Sequence, residues 1–382
     1  MKSKPFLGYA PLSPEAKLRK HKILAEAIRP VEISPGMTVG DLLGQMSGMS
    51  IQARNLGNCA RVLSRMFEDP DRPTILLGLA GPLIAAGLRN VIRDLIVGGY
   101  IDVVVSTGAI LYQDIYQASG YKHYKGTPAA DDRILRDLYI DRIYDTYVDE
   151  EAFWKTDMWC GQIADELSPG NYSSRQYLDF LGAHLDDERS IVYQCHRLGI
   201  PIFSPAINDS SIGIGLTEHR HRCNLESRPG IAIDSIQDNY ELTQIVAKSK
   251  KTAAIYVAGG VPKNYINDSI VMSYIFGLER GHAYAIQVTT ALSQDGGLSG
   301  STLGEAQSWG KIKKDAAFAM AWVEPSVSLS LLAAYALEKH PAPARPRLVF
   351  NWEGDILKEL KPEKVARKAR RIKSSSKLKG RN

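Results

Sequence analysis

One pattern recurs along the middle of the chain: a short, β-branched apolar run that ends in Gly or Ser, followed by a segment with apolar residues three and four apart. A run that is apolar on both faces suits a strand buried in a parallel sheet, and the segment behind it suits a covering helix. Six such units are present. Thr74–Leu79 leads through Ala80, Gly81 and Pro82 into a segment on which Ile84, Leu88, Val91, Ile92 and Leu95 share a face. Ile101–Val105 breaks at Ser106, Thr107 and Gly108, and Ile200–Phe203, Ala253–Val257, Ala283–Val288 and Ala317–Val323 end in similar polar loops. The pattern predicts a doubly wound, Rossmann-like α/β fold with a mostly parallel sheet covered on both faces.

The strand pattern assigns residues 36–350 to this α/β domain. Within it, residues 122–187 are rich in Tyr, Trp and acids and carry few strand signals, so they read as a mainly helical insertion. Residues 1–35 hold Pro5, Pro11, Pro14 and Pro30 around one expected helix, Glu15–Ile28. They form an N-terminal arm suited to packing on a neighbouring subunit. Residues 351–382 read as a basic, disordered tail.

The formal charge of +5 is concentrated at that end, where the last 22 residues hold ten Lys or Arg and one Glu, so +9 lies there and −4 on the other 360. A solvated tail accounts for this, and any nucleic-acid contact it makes would be non-specific. No apolar run reaches about 18 residues, and no apolar segment follows the first basic residues, so neither a membrane span nor export is expected. The expected location is cytoplasmic. Cys59, Cys160, Cys195 and Cys223 are far apart without a C-x-x-C pair, which fits buried thiols better than a disulfide framework.

In a parallel α/β sheet a ligand binds beyond the carboxyl ends of the strands, and here those loops are polar and glycine-rich. Gly81, Gly108, Gly259 and Gly260 would admit a nucleotide phosphate, or would simply make tight turns. Asp209 and Asp295 stand at strand ends, where a carboxylate takes a ribose hydroxyl or caps the next helix. In GEAQSWGKIKKDA, Gly304–Ala316, Lys311 is the candidate nucleophile, with an ordinary surface lysine as the alternative. His219, His221 and Cys223 would share one face of a strand and could hold a soft metal, but the segment is Arg-rich without a fourth ligand. No metal is expected.

Six blocks in order resemble deoxyhypusine synthase and its bacterial synthase-like relatives: LGLAGPLIAAGLRNVI, VVVSTGAI, INDSSIGIG, AGGVPKNYIND, TTALSQDGGLSG and EAQSWGKI. The resemblance runs through most of residues 36–337. It implies an NAD-dependent transferase of the aminoalkyl class and a homotetramer with sites at a subunit interface. In that family NAD takes hydride from spermidine, and the aminobutyl group passes through a lysine Schiff base to an acceptor amine. The lysine corresponds to Lys311. The family's cofactor blocks fall on Gly81, Thr107, Gly108, Asp209, Gly259, Gly260, Thr290, Ala291 and Asp295.

Asp114, Glu305 and Trp309 remain as implied amine contacts. Acids of the family's amine pocket are replaced at Gln113, Ile214 and Leu298, and its histidine by Asn264. AGPL and Glu324-Pro325 also depart from the family's cofactor blocks. The resemblance therefore leaves four readings: a homospermidine-forming transferase, a member with a different amine, a true protein-modifying synthase, and an NAD-binding oligomer without transfer activity.

Overall fold

The computed structural model describes residues 11–341 and 345–363. Six strands form one parallel sheet: β1 Thr74–Leu79, β2 Val103–Ser106, β3 Ile202–Phe203, β4 Thr252–Val257, β5 His282–Val288 and β6 Ile312–Ala321. Their order across the sheet is β3-β2-β1-β4-β5-β6. That order is the Rossmann one, in which the chain winds outward from β1 in one direction and from β4 in the other. Each strand is followed by a helix that matters below: α1 Arg89–Val97, α2 Gly108–Ala118, α3 Ser211–Leu225, α4 Gly260–Val271, α5 Leu303–Ser308 and α6 Pro325–Lys339.

Alternate side chains of the central strands enter two separate cores. Ile75, Leu77 and Leu79 of β1 face the one formed with Ile51–Glu68, α1 and α6. Leu76, Val103, Val105, Ala254 and Tyr256 face the other, with Ser235–Lys248 and α4. Every residue of β1 and β4 is buried, which explains why these strands read as unbroken apolar runs. No helix among the described residues is long and apolar enough to cross a membrane.

Several boundaries differ from the sequence reading. β6 begins at Ile312, five residues before the expected strand, because Ile312 pairs with His282 ahead of a bulge in which Lys313, Lys314 and Asp315 face solvent. The insertion is not wholly helical: Tyr124–Lys125, Ile140–Ile143 and Thr146–Asp149 form a small antiparallel sheet before the helix Glu150–Ala164. The arm helix runs only from Pro14 to Ile23, capped by Ser13, and none of its residues is buried.

The expected tail from 351 is also corrected, because Leu348–Glu353 and Ile356–Pro362 pair as a hairpin around Gly354, whose φ is 63°. The hairpin docks on the helix Ser235–Lys248 with Leu357 fully buried, and Trp352 takes Arg175 over its ring at 4.0 Å. Just before it, Arg345 reaches Asp102 at 3.0 Å, and Arg72 holds the same carboxylate at 2.6 and 2.8 Å. This end of the chain is thus pinned to the amino ends of β1 and β2. The basic residues from 364 lie outside the described residues.

Candidate functional site

The crevice of this sheet opens between β1 and β4, where the winding direction reverses. The strand ends lie level, Leu79 opposite Val257 and Ser106, and Val257 opposite Val288. The loops at Gly81, Thr107, Gly259 and Thr290 therefore emerge side by side. Helices α2 and α4 start here, and neither N-cap, Thr107 or Gly259, makes a side-chain cap. Helices α3 and α6 are capped by Ser210 and Glu324. Helix α2 leaves backbone N–H groups for an anion beside β1, whereas on α4 the Gly260 N–H goes to Ser299 Oγ and Pro262 has none.

The glycines divide into two kinds. A Cβ at Gly259 would meet Ser299 Cα at 2.6 Å, so this glycine lets the loop after β5 close on α4, where Ser299 Oγ accepts the Gly260 N–H at 2.9 Å. Gly108 likewise packs against Ser210. Gly81, with φ 87° and nothing near its missing Cβ, is open. The crevice fits a dinucleotide: an open glycine loop and the free amino end of α2 for the pyrophosphate, with carboxylates on the loops after β3 and β5. Asp209 and Asp295 are both exposed. They lie on the loops after β3 and β5, which flank the crevice on its two sides.

Lys311 is not at a carboxyl end of the sheet. Helix α5 carries the chain back, and the Lys311 carbonyl accepts the N–H of His282, the first residue of β5, at 3.0 Å. Its side chain then runs along α4, with Nζ 3.4 Å from both Asn264 Oδ1 and Asp268 Oδ1. The Trp309 ring lies 5.4 Å from Nζ. The lysine side chain is 14% exposed whereas Trp309 is 68% exposed. Glu305 closes a capping box with Thr302 at the start of α5 and faces solvent.

Sequence reasoning missed Lys263, which is buried beside this cluster and donates to Leu298 O, Ser301 O and Ser301 Oγ at 3.1, 2.6 and 2.9 Å. Burial pulls its amine down to about 8, with Lys311 acting the same way and Glu305 opposing. Its signal was weak: a lysine between Pro262 and Ile266 on the inward face of a helix.

The amine-contact residues fall apart. Asp114 is removed from the set, being fully buried and committed to Arg89 at 2.6 Å, Ser190 Oγ at 2.6 Å and Val192 N at 3.0 Å. Gln113 accepts the Ala85 N–H and holds the loop after β1. Ile214 is exposed on α3, and Leu298 is exposed on the loop after β5. A further acid comes from the insertion. Asp157 is 8% exposed, lies beside Tyr112 and Ser211, leaves Oδ1 without a partner, and is pushed up to about 6 by burial. β3 and β6 are the two edge strands of the sheet, but the Lys311 amine is carried inward to Asn264 and Asp268 of α4, which packs on β1 and β2.

His219 and Cys223 lie on helix α3, not on a strand, so His221 turns outward into solvent. Asp165 joins the other two, but His219 Nδ1 is bonded to Asp165 at 2.8 Å and Nε2 accepts the Ile231 N–H at 3.2 Å. With both ring nitrogens engaged and Arg222 and Arg228 on Asp165, the cluster is a structural ion-pair knot.

Comparison with known proteins agrees with this architecture. The family model for deoxyhypusine synthase matches residues 41–336. A deoxyhypusine synthase-like protein of Chlorobaculum parvum is 41% identical over 345 residues, 88% of this chain and 97% of its own. A probable deoxyhypusine synthase 2 of Methanosarcina mazei is 41% identical over 323 residues, 83% of this chain and 92% of its own. The crystal structure of a putative deoxyhypusine synthase from Entamoeba histolytica shares the fold, with a TM-score of 0.54 at 17% identity over 81% of this chain and 96% of that one.

Proposed function

Since the chain belongs to the deoxyhypusine synthase family, we propose that it is a cytoplasmic, NAD-dependent aminoalkyl transferase that works on a polyamine or related amine through a Schiff base on Lys311. The observation that carries this reading is the half-enclosed Lys311 amine among Asn264, Asp268 and Trp309. Gly81, the amino end of α2, Thr290 and Ala291 would hold NAD, with Asp209 or Asp295 on a ribose. The cofactor, when bound, accepts a hydride from the donor amine and returns it to the product.

The residues of this chain do the rest. Lys311 Nζ attacks the imine carbon of the oxidised donor, forming a C–N bond as the bond to the departing amine breaks. Asp268, within reach of Nζ, takes the proton that the attacking nitrogen loses, and the Asn264 amide orients it. The Trp309 face covers a cationic chain. Lys263 fixes the Leu298–Ser301 turn that borders the cluster.

Family membership is what supports a homotetramer with shared sites. Asp209 and Ile214 follow β3 at its carboxyl end, whereas the Lys311 carbonyl meets the amino end of β5, and a neighbouring copy would bring the two groups to one amine. Gln113, Ile214 and Leu298 offer no carboxylate, and unpaired buried ammonium groups are costly, which favours a donor less cationic than spermidine.

Borohydride trapping tests the reading. Protein, NAD and the correct amine should give an adduct that mass spectrometry places on Lys311, weaker with spermidine than with a less charged amine. Lys311→Arg keeps the charge and should lose the adduct. An adduct that survives this substitution, or the absence of any NAD-dependent rise in melting temperature, would overturn the assignment.

A further inference from the structure

The insertion concentrates charge that the proposed reaction does not use. Residues 131–151 hold eight carboxylates and three arginines. Each arginine is already paired, Arg133 with Asp131, Arg136 with Glu150 and Arg142 with Asp132, at 2.6 to 2.8 Å. Asp137, Asp141, Asp145, Asp149 and Glu151 are left without a cation among the described residues.

Aromatic rings gather on the same small sheet. Tyr124 and Tyr147 are direct cross-strand partners, and Tyr147 and Asp149, two residues apart, share that face with Ile140. Leu138 and Tyr139 close its side, leaving an open depression of about 330 Å³ that Glu151 also borders. Tyr124, Leu138 and Tyr139 are each more than half exposed. The Arg136 guanidinium stands 6.0 Å from the Tyr139 ring centroid, so that ring already receives a cation on one side. Arg142, the cross-strand neighbour of Tyr147, is the other base at this face, and Asp132 neutralises it.

We propose that this depression is a binding site for an alkylammonium ion, a class that includes diamines and polyamines, separate from the Lys311 cluster. Tyrosine faces attract the charged head through their quadrupole, and Asp149 and Glu151 supply the counter-charge. The alkyl chain would lie on Leu138 and Ile140. The pocket belongs to the β2–β3 crossover, whereas Lys311 borders β6 at the far edge of the sheet, and the proposal stands whether or not Lys311 forms a Schiff base.

Calorimetry and saturation-transfer NMR on the full chain without NAD would test it, with n-butylammonium as the probe and 1-butanol as its uncharged counterpart. The ammonium should bind at least about tenfold more tightly than the alcohol, since only the cation gains from rings and carboxylates. Tyr139→Leu combined with Glu151→Gln should weaken the ammonium about tenfold or more, while Tyr139→Phe, which keeps the ring, should not. Lys311→Met should leave binding intact. Equal binding of the alcohol, no binding of the ammonium, or unchanged affinity in the folded double variant would overturn the proposal. Loss of all binding in Lys311→Met would do so too, by assigning the amine to the lysine cluster.

Discussion

Asp157 shows how a single side chain changes the account of the amine region. It comes from the insertion helix, yet its carboxyl lies against Tyr112 of α2 and Ser211 of α3, next to positions where the family's acids are missing. Burial holds its pKa at about 6, above the ordinary carboxylate value, so the folded state keeps a proton that the unfolded chain has released. Its titration therefore costs no stability at low pH and destabilises the fold progressively as pH rises from about 4 to about 6. Asp157→Asn should melt higher than the parent at pH 8 and no higher at pH 4, read by calorimetric melting across that range. An equal shift at both pH values would show that the carboxyl does not titrate there. Lys311 was legible in the sequence because a motif carries it. Asp157 was not, because only its neighbours in space mark it.

At the scale of elements, the six strands were legible because burial on both faces forces continuous apolar sequence, and β1 was read to the residue. The carboxy-terminal hairpin was missed for the opposite reason. LVFNWE and ILKELKP alternate and carry charge, and the lysine-rich stretch behind them dominates the local composition. What fixes the hairpin is long-range: Leu357 in the core, its N–H on Gln244 Oε1 at 2.9 Å, and Gln244 Nε2 on Asp355 O at 2.7 Å. Leu357→Ala should cost about 2–5 kcal/mol by transfer and cavity terms, measured by denaturant unfolding. A loss below about 0.5 kcal/mol would show that the hairpin is a surface appendage.

At the scale of the whole molecule, the strand order was legible only through the fold class, whose Rossmann-like order the sheet adopts. Short apolar runs reveal that strands exist and that they are parallel, but which strand neighbours which depends on crossover packing far apart in sequence. The shared-site proposal draws on the ends of the sheet, since Asp209 follows the carboxyl end of β3 while the Lys311 carbonyl meets the amino end of β5. The arm adds to it, exposing Leu18, Ile23, Leu24, Ile28 and Ile33 on a segment with almost no interior of its own. Light scattering should accordingly report a tetramer, and a monomer would sink the shared site.

A site shared between copies would also have a genetic consequence. Under that proposal, two defective alleles, one encoding Lys311→Arg and the other Asp209→Ala, would each yield a homo-oligomer of little activity. Co-expressed, their products assemble at random, and about one quarter of the shared sites then draw an intact lysine from one parent and an intact aspartate from the other. The mixture should recover activity that neither allele has alone, whereas a protein with self-contained sites would show no such intragenic complementation.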